Sequence, residues 1–554
     1  MSDIEHILET ALNHQRAGEL DEAADIYRKV LEIEPAQVDA LHLLGMVAHA
    51  QQDHGQAIEL IKKAIFLNPM IADFHINIAS IYLAQGNTAA AKSHAETALK
   101  INGEAGEAHY NLGNALFAEG SATDAVQAFR HALDLEPENQ TFWANYLFAL
   151  NFSTEASPKD IHAANKAWGE QVAGSAPPPP EFTNELTAER SLRLAYFLPE
   201  LDIHVTSRFL SPMLAAHHKA EFEVFLYGSR VDGAEPPANI VSAADHWIDV
   251  GGKSAVEIGA LMRADKIDIL AHPCSFKSRY REVLVQRAAP VQIACTNLVS
   301  TTGLSATDYL ITDDFISPPD TGDDLYTEQL IRLSGFNTYQ QLDEVEDVAP
   351  LPAAANGYIT FGSCNNIAKL SPDVIRVWAE ILAKSPKSKL LLKHRAFDDA
   401  ARRVLILDAF AAHDIAEDSL IFEGFTADPS AYLSVYNKID IALDPFPFGG
   451  GTVSYEALWM GVPIITLAGE VFMGRLTGSL LHRLDMDNCI AKSEADYGAA
   501  ATQLADDLGA LADLRQGLRA RAIATIFDAK THVAELEAAY KQAWQGYCDD
   551  QQRA

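Results

Sequence analysis

A run of three glycines separates a short apolar segment from a segment with helical periodicity: Gly449, Gly450 and Gly451. Glycines at the start of a helix let backbone N–H groups approach an anion closely, and the helix dipole favours negative charge there. The sequence therefore predicts that Thr452 and Val453 present amides to a phosphate, and that Thr452 adds a hydroxyl. Glu456 follows one turn later on the same face, where a carboxylate can accept hydrogen bonds from ribose hydroxyls. The alternative is a glycine-rich turn shaped only for packing.

The elements that must position this loop are short apolar segments that alternate with helical ones from residue 192 onward. They form two series, divided by Pro350–Gly357: 192–197, 222–227 and 267–271, then 358–361, 389–392, 420–422, 439–443 and 463–467. Strands that alternate with helices predict two parallel, doubly wound sheets, hence two lobes with a cleft between them. Ligands of such sheets bind beyond the carboxyl ends of the strands, and the glycine run follows one of these ends.

The first third of the chain repeats with a period of 34 residues. Alanines, other small residues and prolines keep this period: Ala23, Ala57, Ala91 and Ala125; Gly45, Ala79 and Gly113; Pro35, Pro69 and Pro137. Small residues let the two helices of a hairpin cross closely, and the prolines end the second helix. The pattern resembles the tetratricopeptide repeat, in four copies over about residues 3–137. Such a superhelix has a concave face that can dock a protein partner; the alternative is an array that only scaffolds or dimerises the chain.

Three asparagines keep the same period: Asn77, Asn111 and Asn145. A side-chain amide both donates and accepts, so a periodic row of amides can grip the backbone of a docked protein acceptor. A hydrogen bond between neighbouring repeats is the alternative, and the sequence leaves both open.

Periodicity and composition divide the chain into four parts. Residues 1–150 are the repeat array with a capping helix. Residues 151–187 contain a further helix near 159–172, expected to cap the array, and the stiff linker Pro177–Pro180. Residues 188–350 form the first lobe, and residues 351–554 form the second lobe with the glycine run. A catalytic region that begins near Thr187 is therefore expected to fold alone.

Charge and composition exclude several classes of function. The chain has 554 residues, with 42 Lys and Arg against 76 Asp and Glu, and a net charge of −34. Nucleic acid and anionic membranes need a cationic face, so neither is an expected partner. No segment resembles a signal peptide or reaches the roughly 18 apolar residues of a membrane span. The five scattered cysteines form no C-x-x-C pair, so we expect a cytoplasmic protein without disulfides.

Residues 188–545 resemble the catalytic domain of the O-GlcNAc transferases, in the bacterial SPINDLY-like branch, and a tetratricopeptide array ahead of it is usual in that family. The resemblance rests on four segments: Arg287–Gln292, Phe361–Lys369, Asp440–Pro447 and Glu456–Pro463. It implies an all-α superhelix followed by an α/β region of two Rossmann-like lobes, the GT-B fold. It also implies transfer of a sugar from a nucleotide donor to a protein Ser or Thr hydroxyl, with inversion. We expect no metal or other cofactor, because the D-x-D sequence at 485–487 follows a helix and suits a turn.

The resemblance also implies roles for single residues. Lys369 matches the family lysine that binds the donor diphosphate and offsets the charge on the leaving group. Asn366 falls near the phosphates, and Tyr432 stands where the family has a donor-site histidine. His204 matches a histidine near the acceptor that can serve as general base; a hydrogen-bonded loop histidine is the alternative. The same match supports the phosphate and ribose contacts inferred from the glycine run.

Several positions depart from the family pattern: Ser275–Lys277, Asn297–Thr301 and Gly451, which is a histidine in animal members. Such positions face the sugar or the base in the family, so the donor stays open between UDP-GlcNAc and a CMP-linked nonulosonic acid. Some bacterial relatives with this domain order modify flagellin, which makes flagellin a candidate acceptor. A diverged domain that serves only as a binding scaffold is the alternative function. A transferase for lipid or polysaccharide is disfavoured by the acidic surface and the repeats.

Overall fold

The structure of the protein is a computed structural model that describes residues 3–174, 176, 180–198, 206–229, 237–273, 278–295, 300–341 and 346–553. The chain divides into two compact units, residues 1–149 and 150–554.

The first unit consists of successive helix pairs. Its helices are α1 (Asp3–Arg16), α2 (Leu20–Ile33), α3 (Val38–Ala50), α4 (His54–Leu67), α5 (Ala72–Ala84), α6 (Thr88–Ile101), α7 (Gly106–Ala118) and α8 (Ala122–Leu135), followed by α9 (Gln140–Leu150). A Cβ atom on Gly45 would lie 2.7 Å from the side chain of Ile61, and one on Gly113 would lie 2.6 Å from the ring of Phe129. The prediction of four helix hairpins with small residues at their crossings is confirmed.

The three periodic asparagines are used inside the array. Each side-chain amide donates to a group 35 residues earlier, in the preceding repeat: Asn77 to His42 Nε2 at 2.8 Å, Asn111 to the Ile76 carbonyl at 3.0 Å and Asn145 to the Tyr110 hydroxyl at 2.9 Å. Asn111 is buried. The inter-repeat alternative therefore applies, and the docking role predicted for these residues is wrong for Asn111, because a partner cannot reach a buried amide that already has an acceptor.

The second unit contains two parallel sheets, and the first follows α10 (Pro158–Ala173) in the chain. Its strands are β1 (Leu192–Leu198), β2 (Phe222–Gly228), β3 (His246–Asp249), β4 (Ile269–His272), β5 (Val291–Ala294), β6 (Tyr309–Asp313) and β7 (Gln329–Leu333), in the order β3-β2-β1-β4-β5-β6-β7. The helices among them are α11 (Thr206–Ala216), α12 (Ala238–Ala243), α13 (Ala255–Ala264) and α14 (Ser278–Val285). The three predicted strands are present, and β3, β5, β6 and β7 were not predicted.

The second sheet has the order β10-β9-β8-β11-β12-β13. Its strands are β8 (Thr360–Ser363), β9 (Lys389–Lys393), β10 (Leu420–Glu423), β11 (Ile441–Leu443), β12 (Ile464–Leu467) and β13 (Ile490–Ala491). Its helices are α15 (Pro352–Asn356), α16 (Pro372–Lys384), α17 (Ala400–Ala411), α18 (Pro429–Leu433), α19 (Thr452–Trp459), α20 (Leu476–Arg483), α21 (Glu494–Asp506) and α22 (Leu508–Ile523). The predicted strands of the second series are all present, so the predicted architecture of two doubly wound sheets is confirmed.

The last helix, α23 (Ala529–Arg553), follows the second sheet in the chain but packs against the first sheet. Its buried residues Tyr540 and Trp544 belong to the hydrophobic core of the first sheet, together with Phe222 and Ile293. The predicted second lobe, residues 351–554, is therefore wrong for this helix, which completes the first lobe.

Helix α10 belongs to the second unit and packs against the segment that follows β5. A Cβ atom on Gly169 would overlap the carbonyl group of Gly303, so the two backbones touch. Trp168 is fully buried, and the Arg281 guanidinium lies 3.8 Å from its ring centroid. The sequence predicted a cap for the array here and a catalytic region that begins near Thr187. Helix α10 supplies part of the second unit's interior, so the boundary predicted near residue 187 does not separate the array from the second unit. Of the predicted proline linker, 177–179 lie outside the described residues.

Among the described residues, no helix is long and apolar enough to cross a membrane. Four of the five cysteines are described, and these four are buried free thiols: Cys295, Cys364, Cys489 and Cys548.

Candidate functional site

The predicted phosphate-binding residues meet at the ends of two neighbouring strands of the second sheet. β8 and β11 are parallel neighbours, with Phe361 opposite Ile441. β9 and β10 lie beyond β8, and β12 and β13 lie beyond β11, so the strand order reverses between β8 and β11. An open parallel sheet forms its ligand crevice at such a switch point.

Lys369 joins the loops that follow these two strands. Its Nζ donates to the Gly449 carbonyl at 2.6 Å and to the Asn365 side-chain oxygen at 3.1 Å. Burial lowers the pKa of Lys369 to about 8, and the charge of the Asp444 carboxylate opposes this shift. The lysine is therefore mostly cationic at neutral pH, and its charge lies beside the glycine run.

The glycine run folds tightly around Asp444. The buried Asp444 carboxylate accepts from the Gly450 amide at 2.6 Å and from the Thr466 hydroxyl at 2.8 Å. Burial raises the pKa of this carboxyl. A Cβ atom on Gly450 would overlap the Ser454 hydroxyl and lie 2.8 Å from the Asp444 carboxylate. The loop therefore needs glycine at position 450 for the backbone to approach this closely.

Helix α19 begins directly after the run. The amides of Ser454 and Tyr455 donate to the Gly451 carbonyl at 3.0 and 3.4 Å. Within the described part of the chain, the amides of Thr452 and Val453 have no acceptor, and both residues are half-buried. Free amides at a helix N-terminus attract an anion. The geometry fits the predicted phosphate contact, and the contact itself remains a prediction.

Glu456 is buried one turn further along α19 and is surrounded by tyrosines. It accepts from the hydroxyls of Tyr339 at 3.4 Å, Tyr432 at 3.2 Å and Tyr436 at 3.3 Å. Burial raises the pKa of Glu456 to about 7, and the three hydroxyls oppose that shift. The Lys393 ammonium lies 5.6 Å from the Tyr432 ring. Near neutral pH a small change in surroundings therefore decides whether Glu456 is charged.

The sequence reasoning missed two members of this cluster. Tyr436 follows Tyr432 by four residues, a helical spacing that indicates a shared face. Tyr339 lies in the segment between the two sheets, and nothing in its sequence surroundings indicates a contact with Glu456.

The first lobe adds a positive charge to the cluster. Arg208, on α11, donates to the Tyr339 hydroxyl at 3.4 Å, and its guanidinium lies 5.9 Å from the Tyr339 ring centroid. Its charge lowers the pKa of Glu456 against the larger effect of burial. Tyr339 thus lies between an arginine of the first lobe and a carboxylate of the second.

The sequence also predicted roles for two other site residues, Asn366 and His204. Asn366 is exposed at the turn before Lys369, and its side-chain oxygen accepts from the Ala368 amide at 3.0 Å. His204 lies outside the described residues, between the end of β1 and the start of α11. The departures at 275–277 and 297–299 also lie outside them.

In the described part of the chain, no group of three or more His, Cys, Asp and Glu side chains is arranged to hold a metal ion. The D-x-D sequence follows α20, as predicted, and Asp487 accepts from His482 Nδ1 at 2.7 Å.

Two doubly wound sheets in one unit, with a cation and free helix amides at the switch point of the second, define an α/β fold of the GT-B class. The chain belongs to the glycosyl transferase family 41, which matches residues 152–340 and 349–536. Residues 8–69 and 76–139 match the tetratricopeptide repeat.

The chain is similar to curated proteins from plants. A protein of Oryza sativa subsp. japonica, named a probable UDP-N-acetylglucosamine–peptide N-acetylglucosaminyltransferase SPINDLY, is 33% identical over 434 residues, which are 76% of this chain and 46% of that protein. An Arabidopsis thaliana protein with the same probable activity, named SEC, is 30% identical over 66% of this chain and 38% of its own length. The chain therefore spans less than half the length of these relatives.

A solved structure covers nearly the whole chain. A mutant of the Thermobaculum terrenum O-GlcNAc transferase is similar over 99% of this chain and 98% of its own, with 30% identity and a TM-score of 0.78. This similarity confirms the predicted order of a helical repeat array followed by a two-lobed α/β region.

Proposed function

We propose that this protein transfers a sugar from a nucleotide donor to Ser or Thr hydroxyls of a protein acceptor. The observation that carries the proposal is the position of the Lys369 ammonium, 2.6 Å from the Gly449 carbonyl in the loop that opens α19. A cation and two free helix amides therefore converge where a donor phosphate would lie. Electrostatic stabilisation of the departing group is usually the largest contribution to such catalysis.

In the proposed reaction, the acceptor oxygen bonds to the anomeric carbon as the bond from that carbon to the donor phosphate oxygen breaks. The electron pair leaves with the nucleotide, where Lys369 and the amides of Thr452 and Val453 offset the new negative charge. The acceptor proton passes to a general base, for which we propose His204 on the family resemblance. A single displacement from the opposite face inverts the anomeric centre. Glu456 holds the ribose.

For the donor we propose UDP-GlcNAc, because the similar plant and Thermobaculum proteins are named for N-acetylglucosamine transfer. A CMP-linked nonulosonic acid carries one phosphate, which the same helix N-terminus also suits. For the acceptor we propose a protein docked on the repeat array, with flagellin as the first candidate to test.

The test is intact-mass analysis of flagellin and a lysate-derived protein pool after incubation with the enzyme and single donors. The donors are UDP-GlcNAc, a CMP-linked nonulosonic acid, and other UDP- and GDP-linked sugars. A mass increment with one donor identifies the sugar, and Lys369→Ala is the matched control. If no donor yields an increment while the acceptor still binds to the protein, the enzyme proposal fails and a binding scaffold is the better description.

A further inference from the structure

The segment directly after the repeat array is buried in the second unit. Helix α9 ends at Leu150, and the next residues, Asn151, Phe152 and Ser153, are all buried. The ring of Phe152 stacks on the ring of Phe448, with centroids 4.1 Å apart and an interplanar angle of 23°. An aromatic side chain from the start of the catalytic unit therefore lies against the residue that precedes the glycine run.

Phe448 is also the aromatic neighbour of Lys369. The Lys369 Nζ lies 4.5 Å from the Phe448 centroid, over the ring, and donates to the carbonyl of Gly449, the next residue. A ring stacked at 4.1 Å fills one face of Phe448, so the ammonium takes the other face. Phe448 is thus held between Phe152 and Lys369.

We infer that Phe152 is a positioning residue for the Lys369 ammonium, so that the segment which leaves the repeat array forms part of the donor-phosphate site. The effect of Phe152 on the lysine is inferred from the stacked geometry alone. The consequence of that effect for catalysis rests on the proposed role of Lys369.

The physical reason is that a cation–π contact depends on the placement of the ring. Without the stacked partner, Phe448 gains rotational freedom and water reaches the ammonium. Burial is what lowers the pKa of Lys369 to about 8, and Asp444 is the charged group that opposes it. The other polar neighbours are the neutral Asn365 amide and the Gly449 carbonyl. A looser cation–π contact alone would lower the pKa of Lys369, but renewed hydration relieves the larger effect, which is burial. Loss of the stack should therefore raise the pKa toward its ordinary value of 10.5.

The variant is Phe152→Leu, which removes the stacked ring and keeps an apolar side chain. The control is Phe225→Leu, because Phe225, in strand β2 of the first sheet, is also buried and stacks on His246 with centroids 4.2 Å apart and an angle of 27°. Phe152→Tyr retains the ring and should behave as the wild type.

The primary measurement is competitive acetylation of Lys369 against pH, followed by peptide mass spectrometry, on the full chain without ligand. The midpoint should move upward in Phe152→Leu and stay in place in both Phe225→Leu and Phe152→Tyr. Binding of UDP should weaken roughly threefold to tenfold in Phe152→Leu, the size of an aromatic stacking contribution, while binding of uridine should not change.

An unchanged midpoint in Phe152→Leu overturns the inference whatever happens to UDP binding. If the midpoint moves but neither Phe152→Leu nor Lys369→Ala affects UDP, the positioning role stands and the proposed role of Lys369 fails. Should Phe152→Leu not fold, Phe152→Met also removes the stacked ring, keeps an apolar side chain and leaves Phe448 in place. The same measurement then decides.

Discussion

Replacing Glu456 by glutamine should stabilise the folded protein at alkaline pH. Burial raises the pKa of Glu456 from 4.5 to about 7, so between these values the folded state keeps a proton that the unfolded state has released. At 1.36 kcal/mol for each pH unit, this difference amounts to about 3 kcal/mol. Because the folded pKa is the higher one, the destabilisation is absent below pH 4.5, grows through the interval and is complete above pH 7. Glutamine carries no charge at any of these pH values, so the variant does not suffer this destabilisation.

The assay is thermal unfolding of the wild type and of Glu456→Gln at about pH 5 and about pH 8. The variant should melt several degrees higher at the alkaline pH and nearly equally at the acidic one. Glu380→Gln, at the exposed side of α16, is the control and should not gain with pH. Nucleoside binding, measured by calorimetry at neutral pH, should weaken about tenfold or more in Glu456→Gln, because an amide replaces a charged acceptor. A melting difference that is the same at both pH values would refute the burial argument.

Three further predictions concern Lys369, the glycine run and helix α10. Lys369→Ala should lower transfer roughly a hundredfold or more, measured as initial rate, while acceptor binding to the full chain persists; wild-type turnover would remove the lysine from the mechanism. Gly450→Ala should destabilise the protein by about 1–3 kcal/mol in thermal or denaturant unfolding, because its methyl group overlaps a neighbouring hydroxyl; a neutral result would show that the loop has room. A chain that starts at Asn151 should fold by circular dichroism, whereas one that starts at Thr187 should not, because it lacks Trp168; equal folding would show that α10 is dispensable.

The fold was largely predictable because its periodicities are long and regular. The 34-residue period predicts the helix pairs before any contact is known, and the alternation of apolar and helical segments predicts both sheets. The strands β3, β5, β6 and β7 were missed because each has only four or five residues, too few for a strand pattern to stand out. The sequence also did not predict that α23 packs on the first sheet. The sheet that a helix covers is decided by tertiary packing, which the helix's own sequence does not reveal.

Only those residues of the candidate site that belong to local sequence patterns could be predicted. Gly450 and Thr452 form a local pattern, and Lys369 is recognised by the segment around it. Tyr339 and Phe152 are distant in sequence from Glu456 and Lys369, and their roles come from contacts between side chains that only the folded chain brings together. The periodic asparagines show that a regular spacing which suits a docking row equally suits hydrogen bonds within the array, as the buried Asn111 illustrates.

The return of α23 to the first lobe has a consequence for synthesis on the ribosome. β1 ends at Leu198, but Tyr540 and Trp544, which fill the core against it, are translated more than three hundred residues later. The first lobe therefore emerges with apolar surface that nothing yet covers, while the second lobe has all its strands and can close first. Folding in the order of synthesis therefore does not extend to the first lobe, whose core is complete only when α23 has been made. A stalled or prematurely terminated chain would expose the face of the first sheet, and that face makes truncated products targets for chaperones and proteases.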